Sequence, residues 1–177
     1  METYMRKTRK GVTLVELVMY VAILGMIIFA ISAFTGEFAR LYTANRAYRD
    51  LATNGQAVFD TLAFQLFHGE QVYDATSLFD NAQGQLSIRT EMNPAQDESV
   101  AYVDYWLGND RVWEKTEGAS ARALTNDRVR VTTLFFRKFL SGPAEGVEVE
   151  ATLEAPTRFS SVKPTMTFTR FLLLRQR

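Results

Sequence analysis

Residues 17–34 read LVMYVAILGMIIFAISAF, eighteen consecutive positions without a charge. Only Tyr20, Gly25 and Ser32 depart from aliphatic residues, Met and Phe in this run. At about 1.5 Å per residue, a helix over this stretch is roughly 27 Å long, close to a bilayer hydrocarbon core of about 30 Å. The run predicts a membrane-spanning helix near the N-terminus.

Upstream, residues 1–11 (METYMRKTRKG) carry Arg6, Lys7, Arg9 and Lys10 against the single acid Glu2, a net +3. Basic residues flanking a span tend to stay in the cytoplasm, which sends the following chain outward. Between Lys10 and Glu37 the only charged side chain is Glu16, at the head of the apolar run, where a lone carboxylate is costly. No cation lies within helical reach on the same segment, so the pattern predicts a partner created by processing or supplied by another molecule.

The order Lys10-Gly11-Val12-Thr13-Leu14-Val15-Glu16-Leu17, followed by the apolar run, resembles the leader and N-methylation motif of type IV prepilins and type II secretion pseudopilins. The resemblance implies cleavage between Gly11 and Val12 by a membrane prepilin peptidase, which then methylates Val12. Val12 stands where that family usually carries Phe or Met. It also implies that Glu16 pairs with the N-terminal amine of a neighbouring pilin or pseudopilin subunit, after passage from the lipid membrane through an inner-membrane assembly platform. The physics is compatible with this. Cleavage removes the basic anchor and exposes an α-ammonium group, the missing cation, and an ion pair between subunits fixes the axial register of bundled apolar helices. Other readings explain less. A secretory signal has an apolar region of about 7–15 residues and no acid at its head. An uncleaved signal anchor accounts for the hydropathy but not for the order Gly-Val-Thr-Leu-Val-Glu. A buried helix of a soluble protein fits less well still.

Downstream, the pattern turns amphipathic. Phe38, Leu41, Tyr48, Ala52, Phe59, Leu62 and Leu66 recur near a 3.6-residue period, which predicts that the helix continues to about His68, with Gly69 as its stop. Gly36 and Asn54-Gly55 are candidate bends in it, each Gly costing about 1 kcal/mol relative to Ala. The strand signals follow. Residues 99–107 and 111–115 flank a Gly108-Asn109-Asp110 turn, residues 128–140 begin with alternation, and residues 146–153 place Val147, Val149, Ala151 and Leu153 on one face. Ser141-Gly142-Pro143 makes the turn between the last two, and residues 165–174 supply a final strand. The expected fold is α+β: a long N-terminal helix, membrane-spanning in its first half and amphipathic in its second, packed on a small, mostly antiparallel β-sheet domain. Its expected parts are a leader (1–11), a transmembrane or filament-core helix (12–34), its amphipathic continuation (35–70) and a β-rich domain (71–177). The YWLGNDRVWEK hairpin and the Leu124-Thr125 step into the next strand are similar to minor pilins and J-type pseudopilins.

The chain has no Cys and one His, which leaves no disulfide, no Cys-ligated metal and no Ser-His-Asp or His-cluster chemistry. His68 reads as a helix-end or surface residue. The acids Asp74, Asp80, Asp97 and Glu98 lack the order of a calcium loop. No cofactor is implied, and no nucleophile–base pair marks an enzyme. The whole chain balances 20 basic against 20 acidic residues, but without the leader's four cations and one acid it holds 16 and 19, a net −3. Residues 155–177 nevertheless contain Arg158, Lys163, Arg170, Arg175 and Arg177 and no acid. With Phe159, Phe168 and Phe171, this tail offers phosphate contacts and stacking to nucleic acid, or simply a strand whose Arg side chains face solvent or acidic neighbours, the reading favoured here. The expected function is a structural subunit of a type IV pilus-like or type II secretion filament, on the cytoplasmic membrane and then outside the cytoplasm. The alternative is a filament-borne adhesin or DNA-uptake receptor that uses the basic C-terminal segment.

Overall fold

The computed structural model describes residues 11, 13–94, 97–141, 144–156 and 163–174. A single helix, α1 (Leu14–His68), is followed by eight strands: β1 (Gly69–Val72), β2 (Gln85–Thr90), β3 (Ala101–Gly108), β4 (Arg111–Thr116), β5 (Arg122–Ala123), β6 (Arg130–Ser141), β7 (Ala144–Glu154) and β8 (Thr165–Leu173). The fold is α+β, with a long N-terminal helix and antiparallel sheets. The chain divides into two compact units between Thr43 and Ala44.

In the first unit, no side chain of α1 is buried, and its most apolar eighteen residues have a mean hydropathy of 2.6. Nothing in this stretch sorts into faces, because the whole circumference is apolar. That is the pattern of a helix whose solvent is itself apolar.

The second unit holds the core. Residues 44–68 of α1 bury Leu51, Asn54, Gly55, Val58, Phe59, Leu62, Gln65 and Leu66, a stripe at helical spacing. Of the expected stripe, Phe59, Leu62 and Leu66 are buried. Phe38, Leu41 and Tyr48 are exposed, and Leu51 and Val58 take the inward places. The stripe packs on a five-stranded meander, β1-β2-β3-β4-β5, and a three-stranded sheet, β6-β7-β8, every pair antiparallel. Leu86, Ile88, Val103, Tyr105 and Val112 from the first sheet join Leu134, Phe136, Val147, Val149, Ala151 and Leu153 from the second in one cluster.

The expected β3–β4 hairpin is present, but its loop is only Asn109-Asp110, since Gly108 still pairs with Arg111. Both loop residues have positive φ, 51° and 60°, the primed-turn geometry that matches strand twist. Asn and Asp tolerate that region better than other side-chain-bearing residues. In β6 the buried positions change parity from Val131 to Leu134 and Phe136, because the register with β7 shifts between Val131 and Thr133. Of the expected turn after β6, Gly142 and Pro143 lie outside the described residues.

α1 ends at His68, with Gly69 next in the chain, as expected. Gly69 does not cap α1 in a left-handed conformation, since Gly118 is the described glycine with positive φ. It opens β1 against Ile88, whose Cγ2 would lie 2.6 Å from a Cβ placed there. α1 is continuous through Gly36 and Gly55. Gly55 instead admits the Phe168 ring of β8, and Asn54 spans the packing by donating to Asp50 O (2.7 Å) and accepting from Asn126 N (2.9 Å).

Candidate functional site

The start of α1 is built by Thr13. Its Oγ1 accepts from Glu16 N (3.3 Å) and its carbonyl from Leu17 N (3.1 Å), which makes Thr13 the N-cap and Glu16 the third helical residue. Thr-x-x-Glu is the spacing of a capping box, a signal that the sequence reading passed over. Glu16 thus also faces the positive end of the helix dipole. Tyr20 Oη, one turn on, donates to Glu16 Oε1 at 3.3 Å. Sequence spacing offers no cation here, and the structure adds only this neutral donor among the described residues. Farther along, Ser32 and Thr35 donate to the carbonyls of Ile28 and Ile31, both at 2.8 Å. Returning hydroxyls to the preceding turn hides them from an apolar surrounding. Gly11 is exposed, while Val12 lies outside the described residues.

Of the basic tail, Arg158, Arg175 and Arg177 lie outside the described residues, as does Phe159. Lys163 pairs with Glu154 at 2.5 Å. Arg170 sits 3.4 Å from Asp60 and lies over the Phe59 ring, 5.5 Å from its centroid. Phe168 packs on Phe59 at 6.0 Å, and Phe171 meets Phe139 edge-on at 5.7 Å. The two described cations and two described rings are therefore engaged with the fold.

The remaining sequence candidates are dispersed. Asp74 holds Lys138 at 2.8 Å together with Glu145 at 2.6 Å, and Asp80 approaches Arg137 at 3.4 Å. Burial alone lowers the Lys138 pKa, but its bonds to Asp74 and Glu145 outweigh that and raise it. Asp97 and Glu98 are exposed, and no group of three metal-ligating side chains occurs among the described residues. His68 Nδ1 lies 2.8 Å from Phe64 O, and its ring packs between Phe64 and Phe67. Because a carbonyl only accepts, Nδ1 carries the proton in that contact.

One cluster is new. Glu114 on β4 is 9% exposed in its side chain, yet it is ionisable. Tyr105 Oη donates to Glu114 Oε1 at 2.7 Å, and Arg122 Nε of β5 donates to Oε2. Burial, then the bond to Glu114, pushes the Tyr105 hydroxyl pKa above its usual range, and the same carboxylate raises that of Arg122. The strand's alternation carried a signal, for Val112 and Glu114 share the buried row.

The fold and its N-terminal segment define an α+β protein with one helix long and apolar enough to cross a membrane. No family model, curated protein or solved structure matches the chain.

Proposed function

We propose that the chain is a prepilin, a minor pilin or pseudopilin that becomes a structural subunit of a type IV pilus-like or type II secretion filament. The observation that carries this reading is Glu16: a carboxylate in the first turn of a helix whose next eighteen residues are uncharged, five residues beyond Gly11, with only the Tyr20 hydroxyl as a side-chain partner among the described residues. Cleavage at Gly11-Val12 by a prepilin peptidase creates an α-ammonium group at the head of each subunit. A neighbour's ammonium then supplies the cation that Glu16 lacks, and the apolar helices bundle in the register this pair sets. The domain formed by residues 44–177 rides outside the cytoplasm. Its pairing of a helix with antiparallel sheets is compatible with a pilin-like subunit.

Mass spectrometry of the chain produced with and without a prepilin peptidase tests the reading. The expected product begins at Val12. An intact leader, or cleavage at the far end of the apolar run after Ser32 or Ala33, refutes it.

A further inference from the structure

Each of the two sheets ends in two edge strands, and three of these edges are blunted. β1 has four residues and a register shift between Gly69 and Gln71, and β5 has only two residues. β6 is long, but residues 80–84 run along its free side. Asp80 N donates to Phe136 O at 2.9 Å, Gly84 N to Leu134 O at 2.8 Å, and Leu134 N to Ala82 O at 2.9 Å. Short, bulged or covered edges keep a sheet from pairing with another chain.

β8 is the exception. It has nine residues and no Pro, and its register with β7 is unshifted from the Gly146–Leu173 pair to the Glu154–Thr165 pair. Leu174 N donates to Glu145 O and Ala155 N to Pro164 O, both at 2.9 Å, so the even-numbered residues of β8 face β7. The backbone N–H and C=O groups of Thr165, Thr167, Thr169, Phe171 and Leu173 therefore point away from the sheet, and none of them bonds another described residue. The one charge of β8, Arg170, is set against Asp60 and the Phe59 ring of α1 and does not guard that edge.

The same face of the sheet carries two further features. Phe171 and Leu173, 66% and 49% exposed, make one end of the edge apolar. Farther along, Glu150 of β7 pairs across from Thr169 and is exposed. Lys138 holds Glu145, Arg137 holds Glu148 and Lys163 holds Glu154, so among the described residues Glu150 alone of the β7 acids has no cation.

We propose that the free edge of β8 takes up an extended segment of a second protein as a fourth, antiparallel strand. That segment has the order apolar-x-apolar-x-basic, with its apolar residues opposite Leu173 and Phe171 and its Lys or Arg opposite Thr169. Strands stand about 4.8 Å apart, which puts the cation about 9.6 Å from Glu150 between backbones, a gap the two long side chains span. Main-chain bonds to the outward groups supply affinity, and the alternate side chains supply selectivity. This edge lies wholly in the unit of residues 44–177, so the assignment is independent of the filament reading.

The test uses the full chain in lipid nanodiscs and two acetylated, amidated heptapeptides: Val-Thr-Val-Thr-Lys-Thr-Thr and the same peptide with Glu in place of Lys. Hydrogen–deuterium exchange is read residue by residue along β8. Without peptide, the odd-numbered amides are expected to exchange about tenfold or more faster than the even-numbered ones. The Lys peptide slows the odd-numbered amides, and the Glu peptide needs about threefold more to do so, a preference that Glu150→Gln removes. Thr169→Pro deletes one outward N–H and no bond to β7, a change that edge strands tolerate. It abolishes the slowing at the other four amides and leaves thermal unfolding unchanged. Odd-numbered amides as protected as the even-numbered ones, no slowing by either peptide, or equal response to both overturns the proposal. So does slowing that survives Thr169→Pro, or slowing that rises with chain concentration in the absence of peptide, which assigns the edge to a second copy.

Discussion

Glu16 and Glu114 are both carboxylates in apolar settings, and both accept a bond from a tyrosine, Tyr20 at 3.3 Å and Tyr105 at 2.7 Å. They differ in the second partner. Glu114 has Arg122 from a neighbouring strand, so its charge is compensated within the chain. Among the described residues Glu16 has only a neutral hydroxyl, at the head of a helix that is itself apolar around its circumference. An acid neutralised by its own fold is part of that fold, whereas one left with a neutral donor points to a partner outside the molecule.

The largest expected effect breaks the comparison at Glu16. Glu16→Ala removes the group that the proposed filament reading pairs with an external cation, and none of the hydrogen bonds or ion pairs described in residues 44–177 involves it. The variant is expected to insert into membranes at the level of the parent chain, while its recovery in sheared filaments falls more than tenfold. Fractionation of membrane and filament pools checks this, and normal incorporation into filaments rejects the register argument.

Tyr105→Phe tests the other carboxylate. It strips a donor from buried Glu114, and an unsatisfied buried acceptor costs about 1–3 kcal/mol, read in chemical denaturation at neutral pH. Tyr20→Phe, the matching change at Glu16, leaves that unfolding transition where it was. Tyr105 also sets a pH dependence. Its hydroxyl keeps its proton in the folded chain at pH values where the unfolded chain has lost it, near 10.0. Stability from this group is therefore whole below pH 10 and falls above it, by about 1.4 kcal/mol per pH unit for one retained proton. Tyr105→Phe is expected to flatten that alkaline loss in denaturation series run from pH 8 to 11.

What was legible in the sequence follows the same divide between local and distant causes. The apolar run of residues 17–34 needs no neighbour to be read, and neither does the alternation of Val147, Val149, Ala151 and Leu153, each fully buried. Strand β2 escaped because Leu86, Ser87 and Ile88 are buried in succession, which erases the period of two. β1 and β5, at four and two residues, are too short to show any period. Glu16 was conspicuous as the only charge in its segment. Glu114 was hidden, since an acid among RVWEKT reads as solvated until Tyr105 and Arg122 are brought beside it. Asn54-Gly55 reads as a break by propensity alone, and only the approach of Phe168 and Asn126, far along the chain, shows it to be a docking point.

Two of the helix glycines, Gly36 and Gly55, carry the comparison to its smallest effects. At Gly55, a Cβ would lie 2.4 Å from Phe168 Cε2, and that half-buried ring is already packed on Phe59. Overpacking of this kind costs about 1–3 kcal/mol, against a helix-propensity gain of about 1 kcal/mol at most, so Gly55→Ala is expected to destabilise the domain by about 1–2 kcal/mol. At Gly36 no atom lies within 4 Å of an added Cβ, and φ is not in the left-handed region. Gly36→Ala therefore keeps only the propensity gain, up to about 1 kcal/mol, seen as slower hydrogen exchange of the amides of residues 33–40. The same substitution thus changes sign between the two units, because in one the glycine makes room for a strand and in the other it meets nothing within its own chain. Faster exchange around Gly36 after the change removes that distinction.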